Sequence, residues 1–132
     1  MKKFKSFLVF FILSGALCCY SNTSEVPNEI ISALNKGDVN TLTSFLNDNV
    51  EMSIENKNDI YSKQQAKGII SDFFRKNKIE EFSLLHKGEK GKACFIIGTL
   101  TTEKGAYRIY ILTRKNGNKD AIQQFRIEPS NE

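Results

Sequence analysis

The 132-residue chain has no tryptophan, one histidine, two prolines and three cysteines, and each shortage excludes something. Cys18 and Cys19 fall in an apolar leader, so Cys94 stands alone in the remainder, and one cysteine builds neither a disulfide framework nor a zinc site. His86 is the single histidine, at the polar end of Phe82-Ser83-Leu84-Leu85-His86-Lys87, which suits a structural or exposed residue better than a ligand or a base. No metal site and no cofactor are expected, because no nucleophile arrangement, metal-ligand spacing or glycine-rich phosphate loop is present. Acids are missing before Glu25, and the basic excess is misleading for that reason. The chain carries 19 Lys+Arg against 15 Asp+Glu, but Lys2, Lys3 and Lys5 precede the first apolar run; without them 16 basic residues face 15 acidic ones. A near-neutral body lacks the electrostatic footprint of a nucleic-acid binder.

What is present first is an export signal. Lys2, Lys3 and Lys5 form a charged start, Phe7 to about Leu17 an apolar centre, and short residues follow. That apolar run falls short of the roughly 20 residues a bilayer-crossing helix needs, so removal is expected over retention as an anchor. Residues 1–21 are read as the signal and 22–132 as one domain, exported to the periplasm, the medium or the envelope surface. Gly15-Ala16-Leu17-Cys18-Cys19 resembles a lipoprotein cleavage site loosely, which leaves two endings: ordinary cleavage between Cys18 and Asn22, or lipidation on Cys18 or Cys19.

Beyond the leader the periodicity predicts three helices and five strands. Pro27 opens a first helix with Ile30, Ile31 and Leu34 on one face, and Gly37 stops it. Asp38 caps a second helix with Val39, Leu42, Phe45 and Leu46 as its stripe. Val50, Met52 and Ile54 alternate with polar residues as a half-buried strand, which ends in a turn at Asn56-Lys57-Asn58-Asp59. Ser62 and Gln65 fit a capping box for the third helix, whose apolar face is Ala66, Ile69, Ile70, Phe73 and Phe74. Strands over Ile79–His86, Lys92–Thr102, Ala106–Arg114 and Ala121–Glu128 follow, with glycine- and asparagine-bearing gaps as hairpin connections. The fold class is α+β, a cone-like curved antiparallel sheet packed against three N-terminal helices. Cys94, inside Ala93-Cys94-Phe95-Ile96-Ile97, reads as a small buried hydrophobe. On the strand from Ala106, Tyr107, Ile109 and Ile111 share one face and Arg108, Tyr110 and Leu112 the other. Both faces are therefore partly apolar, so one meets the core and the other a partner or a pocket.

The order helix, Gly37-Asp38, helix, strand, long helix, strand meander resembles the nuclear transport factor 2-like (SnoaL-like) superfamily, and the residues that carry the resemblance are Ile31 to Leu42. It covers about Glu25 to Glu128 and is nearest to small exported bacterial domains without an assigned function. The resemblance implies a cavity between sheet and helices and dimerisation through the outer sheet face. Enzymes of that superfamily place an acid with a histidine or tyrosine in the cavity, where burial raises the carboxyl pKa. Here Asp59 and Asp120 sit in turns, Asp72 on a solvated helix flank, and none makes a convincing base. No catalytic residue is assigned. Tyr61, Phe73, Tyr107, Tyr110, Gln123 and Phe125 are the candidate pocket residues; Ala121, Gln123, Phe125 and Ile127 alternate on one face, which would turn the Gln123 amide inward. Arg108 and Arg126 read as solvent-facing or opposed to glutamates across strands.

Two functions remain. The first is a non-catalytic exported domain that binds a small apolar ligand, a second copy of itself or an envelope protein. The second is a cavity enzyme of lyase, isomerase or hydrolase type, using a tyrosine with Asp72 or Glu81. The residue inventory favours the first. Recognition of peptides or cell-wall material at a sheet edge is a weaker third.

Overall fold

The computed structural model describes residues 25–130; the predicted signal and the lipidation candidates Cys18 and Cys19 lie outside the described residues. The order of elements is α1 (Asn28–Lys36), α2 (Val39–Ser44), β1 (Leu46–Ile54), β2 (Lys57–Ser62), α3 (Lys63–Lys76), β3 (Ile79–Lys90), β4 (Ala93–Thr102), β5 (Gly105–Asn116) and β6 (Lys119–Pro129). Six strands form one curved sheet in the order β2-β1-β6-β5-β4-β3, and the helices cover one face, so the α+β reading holds. Among the described residues, no helix is long and apolar enough to cross a membrane.

Two expectations need correction. The sheet is mixed, not wholly antiparallel: β1 runs parallel to β6, with Met52 beside Phe125 and Ile54 beside Ile127. A parallel neighbour requires a long crossover, and here everything from β2 to β5 supplies it. There is also a strand where a turn was expected. The reversal occurs at Glu55-Asn56, both at positive φ (51° and 69°), the backbone of a tight two-residue hairpin turn, and Lys57 to Ser62 then pair back onto β1 as β2. Lys57, Asn58 and Asp59 are polar because β2 is an exposed edge, so no alternation marks it.

α1 ends at Gly37, whose left-handed backbone lets the Asp38 amide reach the Ala33 carbonyl (2.8 Å). Asp38 then caps α2: its carboxylate accepts the Thr41 amide (3.2 Å) and hydroxyl (2.7 Å), and these hydrogen bonds hold the carboxyl below its ordinary pKa. α2 is shorter than its stripe suggested. The Thr43 and Ser44 hydroxyls bond back to the Val39 and Thr41 carbonyls, and the Phe45 carbonyl accepts the Ile122 amide (2.7 Å), which draws Leu46 into the sheet. α3 starts with the predicted box: Ser62 Oγ accepts the Gln65 amide and Gln65 Oε1 accepts the Ser62 amide.

The core lies between the helices and the inner face of the sheet, with Ile30, Leu34, Leu42, Ile70 and Phe73 meeting Met52, Ile96, Leu100, Ile109, Ile111 and Phe125. Each such side chain contributes roughly 1.5–3 kcal/mol through burial. Cys94 joins this cluster, and burial pushes its thiol pKa up, which suppresses its nucleophilicity. Two strand glycines are filled by aromatic rings from the neighbouring strand. Phe82 lies over Gly98 on the helix side, and Phe95 lies over Gly88 on the outer side.

Candidate functional site

The six candidate pocket residues do not converge; the fold distributes them over three places. Phe73, Tyr107 and Phe125 go to the core. Phe73 is 1% exposed and meets Tyr107 edge-to-face at 5.0 Å. The Tyr107 hydroxyl donates to Asn77 Oδ1 (3.2 Å), while Asn77 Nδ2 donates to the Phe73 carbonyl (2.9 Å). Buried Asn77 thereby satisfies the end of α3, and Tyr107 fastens that end to β5. These side chains are structural, and the tyrosine hydroxyl is already engaged.

Tyr110 and Gln123 go to the outer face. Gln123 departs from its predicted direction because β6 carries a bulge: Leu112 pairs with Gln124 but Thr113 pairs with Ile122, which leaves Gln123 as an extra residue. The bulge shifts the phase of the strand. Ile122 and Phe125 point into the core, and Gln123 lines an outer groove with Gln124, Leu112, Arg114 and Ile60. In that groove Gln124 donates to Glu51 (3.0 Å), and Ile60 is 67% exposed.

Beside the groove, β4 and β5 present Phe95, Ile97, Tyr110 and Leu112, all half-buried, on the outer side. Aromatic contacts run across them. The exposed His86 ring lies 5.7 Å from Phe95, Phe95 stacks on Tyr110 (6.1 Å, 21° between planes), and the Arg126 guanidinium sits 5.8 Å from the Tyr110 ring centre. Charges of both signs frame this stripe, including Arg108 opposite Glu128 on adjacent strands. Phe95 and Ile97 were missed, although the apolar alternation of β4 carried the same signal that marked Tyr110 and Leu112 on β5.

Tyr61 goes to a third place, a groove of about 430 Å³ between the β1–β2 hairpin and α3. The hairpin supplies Ile54, Glu55, Lys57 and Tyr61; α3 supplies Gln64, Gln65, Gly68, Ile69 and Asp72. Asp72 is thus both a solvated flank residue and a groove wall, which its helical phase alone did not reveal. It pairs with Arg75 and with Lys76 (3.1 Å). The hydrogen bond from Lys76, backed by the charges of Lys76, Arg75 and Lys57, holds the carboxyl below its ordinary value. A proton-shuttling acid needs the opposite shift. Glu81, the other acid considered, is exposed on β3. Among the described residues no group of three His, Cys, Asp or Glu side chains is placed to hold a metal ion.

Gly68 is out of place by local rules. It occupies the middle of α3, where glycine is disfavoured, yet a Cβ built there meets nothing within 4 Å. Gly68→Ala should therefore stabilise the fold by about 0.5–1 kcal/mol, read as a rise in thermal midpoint.

The sequence profile of the domain of unknown function DUF4783 matches residues 27–128. The chain belongs to the DUF4783 family. Solved DUF4783 domains share its backbone. One from Bacteroides ovatus is 32% identical with a TM-score of 0.78, covering 83% of this chain and 100% of that one. Another, from Bacteroides fragilis, is 35% identical with a TM-score of 0.76 over 80% of this chain and 100% of its own. A nuclear transport factor 2-like protein of unknown function from Cytophaga hutchinsonii has a TM-score of 0.57 at 14% identity, covering 83% of this chain and 95% of that one, a likeness of fold alone. No curated protein matches the chain. The DUF4783 domain described here therefore shares the fold of nuclear transport factor 2-like proteins, as the Gly37-Asp38 segment suggested.

Proposed function

We propose that this DUF4783 domain is an exported, non-catalytic interaction module that pairs with a second copy of itself through the outer face of its sheet. One observation carries the reading: the interior strands β4 and β5 carry apolar side chains on both faces, and only one face is covered by helices. Half-exposed Phe95, Ile97, Tyr110 and Leu112 form a contiguous apolar centre, the composition of an interface core. Arg108, Arg126, Glu128 and Glu51 surround it, and mixed signs around an apolar centre allow a two-fold-related copy to set arginine against glutamate. The low carboxyl pKa of Asp72 supports a non-catalytic role. The envelope location rests on the leader, and the mass of the chain recovered from membranes and from the medium distinguishes plain cleavage from lipidation.

Sedimentation of the full chain tests the pairing. A dimer is expected at about 10 µM, with Tyr110→Glu and Leu112→Glu each shifting it to a monomer that stays folded. A monomer at ten times that concentration, or a dimer indifferent to both substitutions, overturns the reading.

A further inference from the structure

The groove between the β1–β2 hairpin and α3 has no part in the pairing just described, yet both of its walls are built against local preference. On one side Glu55 holds a left-handed backbone (φ 51°), a conformation that asparagine or glycine adopts more readily. On the other, Gly68 interrupts the interior of a 14-residue helix although neither its backbone angle nor any neighbour requires glycine. Departures from local preference concentrate where a site must be shaped. Here both shape the same space. Glu55 on the turn and Gly68 on the helix both line the groove, and a side chain at Gly68 would enter its open space.

The lining then specifies what fits. Tyr61 gives a half-buried aromatic wall, and apart from the Lys57 ammonium the polar side chains are planar: the amides of Gln64 and Gln65 and the carboxylates of Glu55 and Asp72. Gln65 is held by the capping box through Oε1, which leaves its Nε2 amide as a fixed donor. Asp72 stays an acceptor because Lys76 and Arg75 keep it ionised. An anion would meet two carboxylates against the one ammonium of Lys57, and a purely apolar ligand would strip water from amides it cannot satisfy. A cation would compete with partners Asp72 already has. Vicinal hydroxyl groups, each both donor and acceptor, match amide and carboxylate edges together, and a ring face of C–H groups packs on a tyrosine. The volume, about 430 Å³, lies in the range of small-molecule sites.

We propose that this groove binds a neutral, polyhydroxylated ligand of the saccharide class.

The test is an amide-resolved NMR titration of the full chain with two probes, cellobiose and N,N′-diacetylchitobiose, each to about 10 mM, with sodium acetate and methylammonium chloride as charged controls. Shifts confined to Tyr61, Gln64, Gly68 and Asp72 are expected with at least one sugar. Tyr61→Ala and Gly68→Leu should each weaken that binding at least about tenfold, and Gly68→Leu should leave the thermal midpoint undiminished, because leucine favours a helix over glycine and its Cβ would meet nothing within 4 Å. No response to either sugar, responses outside the groove, stronger responses to a charged control, or binding indifferent to both substitutions overturns the proposal.

Discussion

Replacing Phe73 with alanine should destabilise the domain by about 3–5 kcal/mol, a large share of the roughly 5–15 kcal/mol that holds a domain of this size folded. The side chain is fully enclosed between Ile70, Phe74 and the sheet, so its removal leaves a cavity that a close-packed core refills poorly. It also removes the ring against which Tyr107 packs edge-to-face, and with it one support of the Tyr107–Asn77 hydrogen bond at the end of α3. Urea unfolding should show a lower midpoint with an unchanged slope, since the surface exposed on unfolding barely alters. Phe73→Leu, which keeps most of the volume, should recover the greater part of the loss. If Phe73→Ala were as stable as the parent, the residue would be a pocket wall open to exchange with a ligand, as its place among the candidate pocket residues first suggested, and not a core anchor.

Gly98→Ala should be of comparable severity although it adds a single methyl group. A Cβ at that position would stand 2.3 Å from Phe82 Cζ and 2.6 Å from the Ser83 carbonyl oxygen. A ring can move, but the carbonyl belongs to the paired strand β3 and cannot retreat without breaking the β3–β4 ladder. Overpacking in a filled core commonly costs about 1–3 kcal/mol, and a clash with backbone places Gly98→Ala at the upper end or above it. A second substitution separates the two obstacles. Gly98→Ala introduced into a Phe82→Ala background meets only the carbonyl, so a smaller loss of urea midpoint than in the parent is expected, and no loss at all would show that the strand itself yields. Gly68→Ala, the same chemical change in open surroundings, should move the midpoint the other way.

Elements with a strong apolar period, and caps with a specific donor and acceptor, were legible before any coordinates. α1, α3 and the β3–β6 meander follow from the periodicity of Ile30-Leu34, Ala66-Ile70-Phe73 and Ile109-Ile111, and the Ser62–Gln65 box forms as its spacing demanded. β2 was hidden because an exposed edge strand has no face to bury, so Lys57-Asn58-Asp59 resemble a turn in composition. The direction of Gln123 was hidden for a different reason. A bulge adds one residue to β6, and a one-residue shift reverses which side chains face the core. Gln123 was therefore chosen on a sound alternation whose phase fails midway along the strand. The same limit applies to Tyr61 and Asp72: each was noticed singly, yet only the hairpin at Glu55-Asn56 folds β2 back far enough to set them along one groove.

The parallel pairing of β1 with β6 also determines when the domain can be finished. A chain emerging amino end first makes the β1–β2 hairpin early, but the neighbour that shields the other side of β1 is the last strand produced, some seventy residues later, as the Met52–Phe125 register shows. Until β6 arrives, β1 keeps a row of unmatched amides and carbonyls and its apolar Val50, Met52 and Ile54 lack their final cover. Closure of that seam is therefore expected to be the late event of folding, set by the entropy of joining distant segments. A chain cut short before Lys119 would lose more than one strand, because its leading hairpin would have nothing to zip onto.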